Sequence, residues 1–263
     1  MPCACTIAGS DSGGGAGIQA DLKTFAALGV WGCSVITAVT AQNPLEVTGS
    51  WTLPAEAVRA QIEAVSGEFR CGAVKTGMLA DEETIRTVVR YLSQEISLVV
   101  DPVMVSTSGS RLLEEEAEEA ILSLLIPGTT LLTPNLPEAC VLTGMPAISS
   151  EQEMAEAAGL LQDMGADAVL VKGGHGRGDE VVDILLEADG RHTIFRHPRF
   201  PYEVHGSGCC LSAAIAAYIA SGYGIQGACK RATGFCSSAI EHAFPSESGR
   251  MSVNPGWQGS GNI

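Results

Sequence analysis

The chain reads as a single α/β domain, with a mainly parallel sheet and helices on both faces. Three observations predict it. Short apolar, β-branched runs alternate with helical patterns of roughly ten to fifteen residues, the signature of strand–helix–strand crossovers. Composition does not change sharply along the 263 residues, so one domain over 1–244 and a polar, glycine-rich C-terminal tail over 245–263 account for the length. Polar residues gather just past the strand ends, where open α/β sheets place their ligand crevice.

Taken in order, Cys3–Ala8 is a strand stopped by the loop Gly9-Ser10-Asp11-Ser12-Gly13-Gly14-Gly15. A helix follows from about Ala16 to Leu28, with Ile18, Leu22, Phe25 and Ala26 on one face and Gly29 closing it. Asp21, beside Gln19 and Lys23, reads as part of its solvated face. Strand, glycine loop and helix make a ligand-binding geometry, yet the dinucleotide fingerprint and the G-x-x-x-x-G-K-[ST] loop are both missing. Cys33–Ala41 is a buried strand ending at Gln42, an amide suited either to a heterocycle's donors and acceptors or to a turn. Helix Ala55–Val65, strand Ala73–Lys75 with the turn Thr76-Gly77-Met78, helix Glu82–Leu92 and strand Leu98–Val100 come next.

That last strand delivers Asp101, and an aspartate closing a buried strand is a strong site candidate. Leu112–Leu125 is an acidic amphipathic helix whose Glu114-Glu115-Glu116 run is its solvated face. Strand Thr130–Leu132 ends in Thr133-Pro134-Asn135-Leu136-Pro137-Glu138. Asp101 and Glu138, from separate strands, are placed to share Mg²⁺ through water, and Glu138 is equally placed to cap a helix. Strand Ala168–Val171 leads to Lys172-Gly173-Gly174, where a lysine beside glycines can reach a nucleotide phosphate. Val181–Glu187 and His192–Arg196 form a hairpin through Asp189-Gly190, and Ala228–His242 is the last helix.

The stretch on which the others converge is His205-Gly206-Ser207-Gly208-Cys209-Cys210, running into the apolar helix Leu211–Ala217. Glycines let a ligand approach the backbone, and the first turn of a helix offers N–H groups to an anion. A cysteine there is expected to be drawn toward the thiolate by the helix dipole. Cys210, one step further on, is expected to turn toward the core.

Charge and cysteine usage bound the function. A net charge of −15 argues against nucleic acid or an anionic membrane as partner, while leaving room for a phosphorylated ligand in a local site. Nine cysteines without a repeated C-x-x-C spacing argue against a disulfide framework and a tetrathiolate zinc site, so they are expected to be reduced thiols, mostly in the core. No run reaches the ~20 apolar residues of a membrane span, and Met1-Pro2-Cys3-Ala4-Cys5 lacks a basic secretory start, so a cytoplasmic protein is expected.

Seven segments in order carry a family resemblance over about residues 4–244. They are Thr6–Asp11 with Gly13–Lys23, Ala38–Asn43, Lys75–Leu79, Asp101–Met104, Thr133–Glu138, Val171–His175 and the loop opening at Gly206. With them the chain resembles the ribokinase-like small-molecule kinases, and within these the hydroxymethylpyrimidine/phosphomethylpyrimidine kinases of thiamine biosynthesis. The resemblance implies a three-layer α/β/α sandwich. It also implies Mg-ATP-dependent phosphorylation of 4-amino-5-hydroxymethyl-2-methylpyrimidine and of its monophosphate, giving the diphosphate. It further implies catalysis by Cys209 as base with Gly206, Ser207 and Gly208 as the anion loop, and a pyrimidine held by Asp21, Gln42, Gly9, Met78 and Val103. The nucleotide would lie against Lys172, Asn135, Gly206 and Gly208, Mg²⁺ against Asp101 and Glu138, and the protein would be a homodimer. Ser207 departs from the usual threonine, and Cys210 adds a second thiol.

Three other readings use the same residues. A pyridoxal-type kinase shares the catalytic loop. A thiol hydrolase pairing Cys209 with His205 leaves Asp101, Glu138 and Lys172 without a role. A non-catalytic ligand-binding relative makes no use of Cys209 or of the carboxylates.

Overall fold

The computed structural model describes the chain except residues 94, 106–111, 115, 175, 177–178 and 258–263. Its elements run β1 (Cys3–Asp11), α1 (Gly17–Ala27), β2 (Trp31–Gln42), β3 (Val47–Thr52), α2 (Ala55–Glu68), β4 (Ala73–Thr76), α3 (Glu82–Tyr91) and β5 (Ser97–Val100). Then come α4 (Glu116–Ala120, continued by a π turn over Ile121–Leu125), β6 (Leu131–Leu132), α5 (Leu136–Thr143), α6 (Glu151–Asp163) and β7 (Val169–Val171). β8 (Glu180–Leu186), β9 (His192–Pro198), β10 (Val204–His205), α7 (Ser207–Ala220), α8 (Ile225–Glu241), β11 (Phe244–Pro245) and β12 (Met251–Ser252) complete it.

Nine strands form one sheet in the order β3-β2-β1-β4-β5-β6-β7-β8-β9. The six from β2 to β7 are parallel, with antiparallel β3 at one edge and the β8–β9 hairpin at the other. The chain steps outward from β1 to β2 and then crosses back to β4 on the far side of β1. Strand order therefore reverses beside β1, and in such sheets a crevice opens there at the carboxyl ends of the strands.

Alternate side chains of the central strands feed two separate cores. Cys5, Val100, Leu132 and Val171 point to the layer of α2–α6, where Val58, Ile85, Leu142 and Leu161 cover them. Their neighbours Ala4, Val99, Leu131 and Leu170 point to the layer of α1, α7 and α8, against Phe25, Ile215 and Ala232. Both faces of these strands are dry, so the strands read as continuous apolar runs rather than as an alternation. Helix α7 follows the same rule: Cys210–Ala217 are all buried, because the sheet, α1 and α8 enclose it.

Two expectations need correction, and one strand was not foreseen. The helix expected over Leu112–Leu125 starts only at Glu116, with 106–111 and 115 outside the described residues. Strand β3 had no apolar alternation to announce it, since Trp51 and most of its other residues are exposed; it forms because the edge of β2 offers unpaired backbone groups. The region 245–263, expected as a polar tail, packs on the domain as far as it is described. β12 pairs with both β10 and β11, Val253 N–H donates to the His205 carbonyl at 2.9 Å, and Trp257 stacks on His242.

Gly206, the residue before α7, has φ 83°, and a Cβ there would run into the Gly15 carbonyl. The glycine loop after β1 and the loop before α7 thus touch backbone to backbone. Gly206→Ala is expected to cost more than roughly 3 kcal/mol, because left-handed strain adds to a clash that no rotamer relieves. Gly29→Ala, at φ 70° with nothing within 4 Å, is the control and should cost only about 1 kcal/mol. Denaturation midpoints check both, and equal losses would refute the loop contact.

Candidate active site

Helix α7 begins at the left-handed Gly206 with no side-chain cap, and its first internal bond runs from Cys210 N–H to the Gly206 carbonyl at 2.9 Å. The N–H groups of Ser207, Gly208 and Cys209 precede that bond, so they face the cleft as an anion cradle. Lys172, on the residue after β7, arrives over it: its Nζ lies 3.5 Å from where a Gly208 Cβ would stand, and Asp101 Oδ2 lies 3.8 Å from the same point. The cleft itself encloses about 950 Å³, room for a nucleotide and a small heterocycle together. Its walls carry Gln42, Met78 and Val103, and Ser237 and Ile240 of α8.

Each sequence-derived residue can now be placed. Gln42 lines the cleft, with Oε1 accepting from Thr40 Oγ1 at 3.0 Å and Nε2 3.4 Å from His205 Nε2. Gly9 lines it as well, and a Cβ there would stand 2.9 Å from Met78 Sδ, so its lack of a side chain lets the thioether in. Asp21 does not belong to this wall. Neither a solvated side chain nor a substrate ligand, it is fully buried beneath the floor, accepting from Lys75 Nζ at 2.9 and 3.1 Å and from Thr6 Oγ1 at 2.6 Å.

Asp101, Glu138, Asn135 and Lys172 all line the cleft, but each is already engaged. Asp101 accepts from Lys172 Nζ at 2.7 Å and from Ser212 Oγ at 3.1 Å. Burial works against its charge, yet Lys172 and then Lys75 hold its carboxyl below the usual range. Asn135 and Glu138 form a reciprocal capping box on α5, so the amide expected at the nucleotide is the cap of a helix. Burial pushes the Glu138 carboxyl up to about 7, with Lys172 opposing and Asp101 reinforcing the rise. The donors still fit a divalent cation: two buried carboxylates lining one cleft, one held back from ionising chiefly by burial and further by the other, are hard oxygen ligands whose charge Mg²⁺ would offset.

Cys209 overturns the expected thiolate. Burial is the largest influence; Lys75 and the Gly17 N–H pull the other way, while Asp21 and Asp101 oppose a further negative charge. The balance pushes the thiol up to about 12, more than the helix dipole can offset. Cys210 is fully buried and meets Thr24 Oγ1 at 3.6 Å, as expected of the core-facing sulfur. His205 Nε2 sits 3.0 Å from Asp11 Oδ2, and Asp11 also accepts from the Gly15 and Ala16 N–H groups, so this histidine ties the two loops together.

Sequence reasoning assigned no role to Lys75, Thr6 or Ser212. Lys75 was visible as a lysine at the end of a buried strand. Thr6 and Ser212 carried no signal, because a small hydroxyl on an apolar strand or helix reads as packing.

At pH 7 roughly one molecule in 10⁵ should carry a Cys209 thiolate, against a few per cent for an ordinary exposed cysteine. Alkylation of Cys209 by iodoacetamide, followed by peptide mapping, is expected to run roughly 10³-fold slower than that of a denatured control; equal rates would mean the thiol is acidic after all. Glu138, whose folded pKa lies above its ordinary 4.5, should stabilise the fold in its protonated form and lose that contribution as pH rises from about 4.5 to about 7. The metal-free protein should therefore lose about 3 kcal/mol relative to Glu138→Gln across that window, Gln keeping the capping box. Parallel pH dependences in urea titrations would show that Glu138 ionises normally.

The chain matches the phosphomethylpyrimidine kinase family over residues 11–254. A Haemophilus influenzae protein named hydroxymethylpyrimidine/phosphomethylpyrimidine kinase is 46% identical over 244 residues, 90% of each chain. One of the same name from Streptomyces coelicolor is 45% identical over 258 residues, 97% of this chain and 95% of the other. The crystal structure of phosphomethylpyrimidine kinase from Clostridium difficile superposes with a TM-score of 0.81 at 42% identity, covering 91% of this chain and all of that one. Pyridoxal kinase from Staphylococcus aureus, solved with AMP-PCP and pyridoxal, gives a TM-score of 0.88 at 32% identity over 100% of this chain and 96% of the other. With its anion loop, lysine and carboxylates gathered in one cleft at the strand ends, this chain belongs to the phosphomethylpyrimidine kinase family, phosphotransferases of ribokinase-like fold.

Proposed function

We propose that this protein transfers the γ-phosphoryl group of Mg-ATP to the hydroxymethyl oxygen of 4-amino-5-hydroxymethyl-2-methylpyrimidine, and then to the phosphate of the product. The observation that carries this is the convergence of Lys172 and the uncapped amino end of α7 over Gly208. Phosphoryl transfer needs positioning and charge neutralisation more than covalent help, and that cradle supplies both to the equatorial oxygens of the moving group. Gln42 and Met78 bound the acceptor end, where an amide can both donate to and accept from an aminopyrimidine edge. Thr233 Oγ1, buried beside the cleft without a partner among the described residues, offers a hydroxyl to the nucleoside.

Asp101 and Glu138 would hold Mg²⁺, which would supply positive charge to the transferring phosphates and offset the Asp101 carboxylate, one of the groups that, after burial, oppose a charge on Cys209. Cys209 stands at the anion loop and takes the hydroxyl proton as a thiolate, its own S–H proton having first passed to solvent. Because the resting thiol is neutral, that prior ionisation depends on the positive charge placed around it in the loaded site, with Lys75 beneath stabilising the sulfur anion. A homodimer in the cytoplasm completes the proposal by family analogy; among the described residues no helix is long and apolar enough to cross a membrane.

Pyridoxal kinases align over the whole chain, so pyridoxal is the second substrate to consider. Purified protein with ATP and Mg²⁺ should form ADP and phosphorylated pyrimidine, with kcat/KM higher for the pyrimidine than for pyridoxal. The reverse order would assign the pyridoxal reading, and no ADP from either substrate would remove the kinase reading. Cys209→Ala should lose roughly 10²–10⁴ in kcat with KM for ATP little changed, and Cys209→Asp should recover part of the loss. Full activity in Cys209→Ala would mean the proton leaves by another route.

A further inference from the structure

At the end of the sheet opposite the cleft, three thiols meet that no sequence spacing connects. Cys3 opens β1, Cys33 is the third residue of β2, and Cys71 lies two residues before β4. Cys3 Sγ is 3.8 Å from Cys33 Sγ and 3.4 Å from Cys71 Sγ, and all three sulfurs lie within 4.8 Å of one another. β1 alone separates them from the cleft, and a strand of its 9 residues spans about 26 Å at ~3.3 Å per residue.

The geometry points to a three-thiolate site for a soft, thiophilic cation of the Cu(I) class, held by Cys3, Cys33 and Cys71. A cation about 2.3 Å from each of three sulfurs needs them ~3.8–4.0 Å apart; Cys3 and Cys33 already stand at 3.8 Å, Cys3 and Cys71 at 3.4 Å need only open slightly, and the third spacing lies within 4.8 Å. Soft thiolates select Cu(I) and zinc among available ions. Among the described residues no fourth His, Cys, Asp or Glu donor joins the group, which disfavours the four-coordinate closed site zinc prefers. Cys3 and Cys71 are partly exposed and Cys33 is buried, so the group is open to solvent on one side and walled on the other. Binding replaces each S–H bond by an S–Cu bond and releases the proton to solvent, with no change of oxidation state. Trp31, within hydrogen-bonding reach of Cys33 and stacked on Phe69, flanks the group and gives it an optical reporter.

The test is an anaerobic titration of the reduced full-length protein with Cu(I) against the chromogenic chelator bicinchoninate. One Cu(I) per chain should be withdrawn from the chelator, with a change in tryptophan fluorescence. Cys3→Ser and Cys71→Ser should each weaken retention on the order of 10²-fold, and Cys140→Ser, a partly exposed thiol on α5, should change nothing. Should the serine variants fail to fold, alkylation mapping of the wild type decides: bound Cu(I) should protect Cys3, Cys33 and Cys71 and leave Cys140 reactive. No withdrawal of copper would overturn the proposal. So would unchanged stoichiometry in the folded Cys3→Ser/Cys71→Ser protein, protection confined to Cys209, zinc bound in preference to copper, or a Cys3–Cys71 disulfide forming in air while the reduced protein ignores copper.

Discussion

The fully buried ion pair between Asp21 and Lys75 is the contact on which the site is assembled. It joins α1 to β4, and the Thr6 hydroxyl adds a donor from β1 between them, so three elements are fixed to one another at the strand-order reversal. Burying two charges costs several kcal/mol per ion, and the attraction offsets this only when geometry and extra hydrogen bonds are good; here the carboxylate accepts from both the ammonium and a hydroxyl. Burial works against the Lys75 charge, and Asp21 together with Cys209 and Asp101 outweighs it, leaving the ammonium held above its ordinary range. A fixed positive charge thus lies under the thiol that faces the substrate hydroxyl in the proposed reaction.

A second pair, Asp101 with Lys172, repeats the device at the anion loop, and Ser212 of α7 donates to the same carboxylate. The first turn of α7 meets this second pair at Gly208. Each of these two pairs joins one positive to one negative group, so the four buried ionisable side chains add little unbalanced charge beneath the cleft. A phosphoryl group entering there meets amides and an ammonium already in position, which is electrostatic preorganisation in its ordinary sense. The high thiol pKa comes first from burial, and the same arrangement adds to it: the carboxylates that balance the lysines also oppose a charge on sulfur.

The two ends of the sheet divide the polar chemistry between them. Carboxyl ends carry the cleft because strand order reverses there and loops diverge. Amino ends carry Cys3, Cys33 and Cys71 because parallel pairing brings the starts of β1, β2 and β4 side by side. Among the described residues the strands between are dry on both faces, apart from the buried charges that support the cleft.

By itself the sequence determined the parallel α/β layering, since fully buried strands leave short continuous apolar runs and the helices between them a 3.6-residue period. It also determined which residues stand at the strand ends: Gln42, Asp101, Glu138, Lys172 and the Gly206–Cys209 loop all reach one cleft. What it left undecided was partnership. Asp21 beside Gln19 and Lys23 looks solvated from its neighbours, and only packing of α1 against β4 turns it onto Lys75. Asn135 and Glu138 carry the same letters whether they meet a nucleotide or cap α5. The acidity of Cys209 depends first on its burial and then on charges contributed by residues 75, 21 and 101, far apart in the chain, so a dipole argument from local sequence had the wrong sign. Strand β3 and the packed segment after residue 245 were hidden for a related reason: each is held by the edge of another element rather than by an apolar pattern of its own. Local periodicity is written along the chain, whereas ionisation and edge pairing are properties of neighbours that only the tertiary structure brings together.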